Sequence, residues 1–381
     1  MTRNILSGLF LLCATGLSAQ PLIDPKATVE TRSLFVNLKA NTQRGVMFGH
    51  QDGDAYGVGW RNGKGTPDVY AVAGDHPAVH GWDLGKIEHG AAMNLDSVNF
   101  KNMRKWIIGN YRRGGINTLS WHVDNLVSGG SAWDKTPAVK DILPGGRLHS
   151  NFVAQLGRVA DFLDALKFRG KKIPVIFRPW HEHNGDWFWW GKGNCTEAEY
   201  IALWKFTVEY LRDTRGLHHL IYAISPDRSR LDLNDLSGSY LYGYPGDGYV
   251  DLIGLDDYQD VGYCETSAER DRKNDELTRV LRTITVIAAE KGKVAAMTET
   301  GQESIREANW FTRVLLEPVR KAGDIRLSYI LVWRNANRKH HYGPYPGHTS
   351  TDDFLKYQKD PATLFEKDIT NPYKTNNPER K

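Results

Sequence analysis

Pro174-Val175-Ile176-Phe177-Arg178-Pro179-Trp180-His181-Glu182 reads as an apolar run of strand length that ends abruptly in charged, aromatic and hydrogen-bonding residues. A polar, tryptophan-rich loop follows, and then Thr196 to Leu211 with the spacing of an amphipathic helix. Thr196 and Glu199 open that helix three residues apart, where a hydroxyl and a carboxylate satisfy each other's free backbone N–H groups.

The same unit recurs in both directions from this stretch. Apolar runs predict strands at Val46–Gly49, Ala78–Trp82, Asn117–Trp121, Pro174–Arg178, Leu220–Ile224, Leu252–Leu255, Val294–Met297 and Leu327–Val332. Helices are expected over Leu95–Arg113, over Phe152–Phe168 with Ser150 or Asn151 as cap, and over Thr196–Leu211, Ser267–Lys291 and Glu307–Lys321. After the first and fifth strands the helical pattern is faint. Ahead of the first strand, Asp24–Ala40 reads as a helix with Leu34, Phe35 and Leu38 on one face. Eight strands alternating with helices predict an α/β fold, a single (β/α)8 TIM barrel with an N-terminal helix leading into it. An open doubly wound sheet would prefer a glycine-rich phosphate turn after its first strand. The segment Gly59-Trp60-Arg61-Asn62-Gly63-Lys64-Gly65 has neither the spacing of such a turn nor its Ser or Thr after Lys.

No repeat, low-complexity run or flexible linker divides the 381 residues, so residues 20–381 are expected to form one catalytic domain. Residues 1–19 read as a signal peptide: Arg3, a mostly apolar Ile5–Leu17, and small residues before Gln20. Secretion or a periplasmic location is therefore expected, with lipid anchoring through Cys13 as the alternative reading. The remaining cysteines, Cys195 and Cys264, are compatible with one disulfide or two free thiols. A net charge of +4, evenly spread, argues against a nucleic-acid partner, and no segment has the length and apolarity of a membrane span. The chain is expected to be a monomer.

In a barrel, the residues just past the carboxyl ends of the strands face the active site. Those positions here are His50-Gln51-Asp52, Trp82-Asp83, His122-Val123-Asp124, Trp180-His181-Glu182, Ser225-Pro226-Asp227, Asp256-Asp257-Tyr258, Thr298-Glu299-Thr300 and Trp333-Arg334-Asn335. Twelve Trp and 17 Tyr, many beside Gly, Asp, Asn and His, suit the patchily apolar faces of sugar rings, although several must also pack the core. Two glutamates stand out at strand tips, Glu182 after the fourth and Glu299 after the seventh. Most glutamates are solvated surface charges, but one at a buried barrel mouth must be paired, hydrogen-bonded or functional. Two that converge ~5 Å apart suit glycoside hydrolysis with retention, whereas an inverting pair needs ~6.5 Å or more to admit water. The chemistry would have Glu182 protonated as acid/base and Glu299 ionised as nucleophile, with Arg178 and Tyr258 favouring the Glu299 anion and indole rings raising the pKa of Glu182. A structural salt-bridge role for both glutamates is the competing reading.

The stretch Phe177-Arg178-Pro179-Trp180-His181-Glu182-His183-Asn184-Gly185-Asp186-Trp187-Phe188-Trp189-Trp190-Gly191 closely resembles the acid/base signature of glycoside hydrolase family 26, chiefly β-1,4-mannanases. Phe48-Gly49-His50-Gln51-Asp52, Leu255-Asp256-Asp257-Tyr258 and Met297-Thr298-Glu299-Thr300-Gly301 resemble three further segments of that family, in the same order. The resemblance implies Glu182 as acid/base and Glu299 as nucleophile. It implies that His181 hydrogen-bonds near the sugar 2-hydroxyl and the nucleophile, and that Tyr258 holds the nucleophile. His122 and Trp333 would line the subsite of the attacked sugar, Trp333 as its stacking floor, and Trp187 would help form the leaving-group subsite. Of Trp187, Trp189 and Trp190, at least one is expected to pack the rim instead. No cofactor and no catalytic metal are expected, since His181 and His183 have no third ligand at a metal-binding spacing. The implied partner is mannan or a manno-oligosaccharide, cut internally or by release of mannobiose, with the long segment Val123–His149 as a candidate wall for the cleft. Two alternatives share much of this evidence: a hydrolase of β-1,3-xylan or mixed-linkage glucan, and a non-catalytic sugar-binding barrel.

Overall fold

The computed structural model describes residues 22–374; the expected signal peptide, residues 1–19, and with it Cys13 lie outside the described residues. Eight parallel strands form the wall: β1 (Val46–Gln51), β2 (Val79–Asp83), β3 (Ile116–Ser120), β4 (Val175–Arg178), β5 (Leu220–Ile224), β6 (Leu252–Asp257), β7 (Val294–Thr300) and β8 (Leu327–Val332). Each pairs with its successor, and β8 closes on β1 with Met47 opposite Tyr329. The barrel is therefore the expected one. Every residue of these strands is buried, which explains runs without polar alternation: both faces of a parallel wall are covered.

One face fills the barrel. Met47, Val79, Ile116, Ile176, Ile221, Leu252, Val294, Ala296 and Leu331 pack together there, and the N-terminal helix α1 (Val29–Asn41) adds Leu34, Phe35 and Leu38 to the same cluster. The outward faces pack against α2 (Phe100–Arg113), α3 (His149–Asp164), α4 (Glu197–Glu209), α5 (Ser267–Glu290) and α6 (Thr351–Lys359). The Thr196–Glu199 capping box is present at the start of α4.

Several boundaries differ from expectation, each for a local reason. The N-terminal helix begins at Val29 because Thr28, not Asp24, caps it. Asn99 caps α2 through the N–H groups of Lys101 and Asn102, which removes Leu95 from the helix. Helix α3 starts at His149 without a side-chain cap, so neither Ser150 nor Asn151 serves, and it ends at Asp164 where Lys167–Phe168 and Lys171–Lys172 pair as a small hairpin. The stretch expected as a helix from Glu307 begins instead as a π-helical turn at Phe311 and becomes α-helical over Glu317–Ala322. After β1 and β5 only short helices form, Asp68–Ala73 and Leu236–Tyr240. Helix α6 and the short strand Thr363–Leu364, which pairs with β1, escaped the sequence pattern. Cys195 and Cys264 are unpaired thiols. Among the described residues no helix is long and apolar enough to cross a membrane.

Candidate active site

Two distortions of the barrel mouth aim the two glutamates. Beyond β4, Trp180 and Glu182 both adopt left-handed backbone (φ 53 for each), a conformation non-glycine residues avoid unless their surroundings hold them. Trp180 is held by complete burial against Trp121, Trp189, Trp190 and Phe152 and by its indole N–H on Thr207 Oγ1. Glu182 is held by its own N–H, which donates to Ser225 O, just past β5, across 2.7 Å. On β7, Met297 pairs with Leu255 but Glu299 pairs with the very next residue, Asp256, so β7 carries one extra residue there. Ala296 faces the barrel interior and Met297 the helices, so strict alternation would send Glu299 outward; the bulge re-aims it.

Glu299 is gripped at both oxygens. Arg178 Nη2 donates to Oε2 at 2.5 Å and the Tyr258 hydroxyl donates to Oε1 at 2.8 Å, charge-assisted bonds that favour a carboxylate. Burial and then the Glu299 charge push the Tyr258 phenol well above its ordinary value, which keeps it protonated and a donor. Arg178 also donates to Asp256, itself tied by Ser225 and Thr298. Glu182 has a different environment. Burial, then the charges of Glu299, Asp256 and Asp227, push its carboxyl well above the usual carboxylate range. Trp187 Nε1 donates to Glu182 Oε2 at 2.6 Å and works the other way, because an N–H donor stabilises the anion. The expectation that indoles raise this pKa is thereby corrected: burial and neighbouring carboxylates raise it, and the indole N–H lowers it. Glu182 and Glu299 keep 9% and 6% of their surface exposed.

The remaining predicted residues gather around this pair. His122 lies edge-on to Trp333, with ring centroids 6.3 Å apart, and Trp333 lines a cavity of about 420 Å³ together with Tyr258 and Tyr342. Trp187 is partly buried, whereas Trp189 and Trp190 are both buried and bond to backbone carbonyls of Val123 and His181. His181 donates to or accepts from His122, and among the described residues no hydrogen bond joins its ring to Glu299. His183 turns away to Tyr242 O and stacks on Tyr200, so it is no partner of His181. Glu88, His89 and Asp124 bring three possible metal ligands together, but both Asp124 oxygens are taken by Lys86 Nζ at 2.8 and 2.6 Å. Sequence reasoning gave no role to two residues here. Asp83, at the tip of β2, accepts from His122 Nδ1 at 2.7 Å. Trp133, half exposed in the long loop after β3, stacks on the His122 ring.

The model of glycosyl hydrolase family 26 matches residues 23–315. The chain belongs to this family. Among relatives of this family-26 chain, a mannan endo-1,4-β-mannosidase of Bifidobacterium adolescentis is 35% identical over 289 residues, 74% of this chain. The chain spans only 28% of the length of that relative. A mannan endo-1,4-β-mannosidase of Bacillus subtilis is 30% identical, over 67% of this chain and 73% of its own length. The family-26 barrel also superposes on the solved structure of a GH26 β-mannanase from Bacteroides ovatus with a TM-score of 0.84 and 43% identity, covering 92% of this chain and 98% of that one.

Proposed function

We propose that this glycoside hydrolase cleaves β-1,4-mannosidic bonds of mannan-type polysaccharides or oligosaccharides by double displacement. Glu182 is the acid/base and Glu299 the nucleophile. One observation carries the reading: two neighbouring carboxyl groups have opposite environments, one receiving hydrogen bonds from Arg178 and Tyr258 at its two oxygens, the other driven toward its protonated form. In the first step Glu182 gives its proton to the leaving glycosidic oxygen while Glu299 attacks the anomeric carbon. In the second, Glu182 takes a proton from water as that water displaces Glu299, and the configuration is retained. His122 and Trp333 line the subsite of the attacked sugar, and Trp187 lies on the leaving-group side of Glu182. Mannan as substrate is supported by the mannanases to which the chain is similar. Secretion rests on the sequence of residues 1–19 alone.

The test is Glu299→Ala on soluble mannan, with the product anomer of the unaltered protein followed by NMR. Turnover should fall by several orders of magnitude, and the first-formed product should be β. Near-normal turnover in the variant, or an α product, rejects the reading. Sampling the same digest from the first minutes separates internal cleavage, a ladder of sizes, from mannobiose release.

A further inference from the structure

His181, directly before Glu182, has one ring nitrogen accounted for and one left over. Its Nε2 faces His122 Nε2 at 3.1 Å, the rings edge to face at 77°. Its Nδ1 is buried with no hydrogen-bond partner among the described residues. Two imidazole nitrogens that face each other share a single hydrogen, so the tautomer of one ring dictates that of the other.

The other side of His122 is fixed. Its Nδ1 donates to Asp83 Oδ2 at 2.7 Å, and Asp83 is a fully occupied carboxylate: Ser120 Oγ donates to the same oxygen at 2.6 Å and the Gly85 N–H to the other at 2.7 Å. We propose that Asp83 is a positioning residue which, through His122, holds His181 as its Nδ1–H tautomer, so that the unpartnered nitrogen of the residue next to Glu182 is a hydrogen-bond donor. With His122 as an imidazolium, Nδ1–H goes to Asp83 and Nε2–H to the lone pair on His181 Nε2. The neutral His181 then carries its hydrogen on the free Nδ1. When His122 loses a proton it keeps Nδ1–H for Asp83, its Nε2 becomes an acceptor, and His181 must move its hydrogen to Nε2. The free Nδ1 then offers a lone pair in place of a donor.

The charges facing the two rings support this assignment. Around His122, burial works against a proton, but the Asp83 charge and bond raise its pKa above the ordinary value, with Glu299 adding and Arg178 opposing. Asp96, beyond β2, also faces His122. Around His181, burial and then Arg178, His122 and His183 push its pKa well down, so the pair holds its extra proton on His122. Burial also opposes ionisation of Asp83, but the His122 charge and bond outweigh it and keep that carboxyl low.

This inference rests on the hydrolytic reading for its substrate, but its test does not need turnover. In the full chain labelled with ¹⁵N-histidine, the His181 signals assigned by difference from His181→Gln should show a protonated Nδ1 and a bare Nε2 at neutral pH. Raising the pH should exchange those states at the pH where His122 titrates. Asp83→Asn, which keeps an acceptor but removes the charge, should lower that pH by about one unit or more, and Asp83→Glu should restore it. On an aryl mannobioside with a good leaving group, for which Glu182 need not donate, the alkaline limb of kcat/KM should move with it. An Nε2–H tautomer in the wild-type chain at neutral pH, or an exchange unmoved by Asp83→Asn, overturns the proposal while leaving the Glu299→Ala result untouched. If Asp83→Asn does not fold, the wild-type titration decides alone: His181 and His122 must change together.

Discussion

Trp187 Nε1 donates to Glu182 Oε2 across 2.6 Å, and the opposite partner of that indole is a cation: the Arg230 guanidinium lies 5.3 Å from the Trp187 ring centroid. Arg230 is tied in turn to Asp186, which also binds Lys135 of the loop after β3. Trp187 is therefore set in place by its neighbours, and its N–H adjusts the acidity of Glu182. Removing that N–H while keeping an aromatic ring, as in Trp187→Phe, removes a bond that favours the anion. The Glu182 pKa, already raised by burial and by Glu299, should rise further. Because bond cleavage needs Glu182 protonated, the alkaline limb of kcat/KM on mannan should move to higher pH. A limb that moves to lower pH would contradict the arrangement.

Glu182→Ala separates proton donation from binding. On mannan, whose leaving group is a poor alkoxide, kcat/KM should fall roughly 100- to 10,000-fold, the usual worth of a positioned acid. On an aryl mannoside with a good leaving group the first step should be nearly unaffected, and the loss should appear in hydrolysis of the intermediate. Pre-steady-state release of the aryl alcohol measures this as a burst. Equal loss on both substrates would place Glu182 outside acid/base chemistry.

The contrast between what was and was not legible follows from range. The strands and the α4 capping box were readable because each depends on residues within a few positions. Glu182 and Glu299 were readable as strand-tip carboxylates. Their aim was not, because it depends on long-range causes: the bulge that turns Glu299 inward is defined by β6 and β8, and the left-handed turn at Glu182 is held by Ser225, just past β5. Asp83 stood among the strand-tip residues, yet only its distance to His122 gives it a role. The pKa of Glu182 was expected to follow from its indoles, but an indole is both an apolar surface and a donor, and sequence does not say which side is presented.

Arg178 bridges Asp256 and Glu299, with Nη1 2.5 Å from the first and Nη2 2.5 Å from the second, and all three side chains are buried. Arg178→Met would leave two buried carboxyl groups without their shared guanidinium. Breaking a buried pair by removing one partner costs about 3–5 kcal/mol, so the variant should unfold at clearly lower denaturant concentration. Activity should fall by more than the loss of folded protein explains, since one donor to the developing charge is worth on the order of 100-fold. Urea titration and kcat on mannan, measured on the same preparation, check both. A variant with unchanged midpoint would show that the ion pair contributes nothing to stability.

A second buried cluster, far along the chain from the catalytic pair, should make stability depend on pH. His80 Nδ1 lies 3.0 Å from Asp54 and its Nε2 3.4 Å from Glu366, which also binds Arg113. The cluster joins β2 to the C-terminal segment. Burial opposes protonation of His80, but the charge and bonds of Asp54 and Glu366 win and raise its pKa. Burial likewise opposes ionisation of Asp54 and Glu366, and His80 wins there too, holding both carboxyls low. The sign follows for each group. The contribution of His80 is fully present below its unfolded value of ~6.5 and is lost as pH rises through the higher folded value; those of Asp54 and Glu366 are lost as pH falls through their folded values. Other histidines add slopes of their own, so the observable is the difference between wild type and His80→Gln. That difference in unfolding free energy should be largest near pH 6 and shrink toward pH 9. A difference that stayed constant over that range would mean that His80 is held there as a neutral ring, by hydrogen bonds alone.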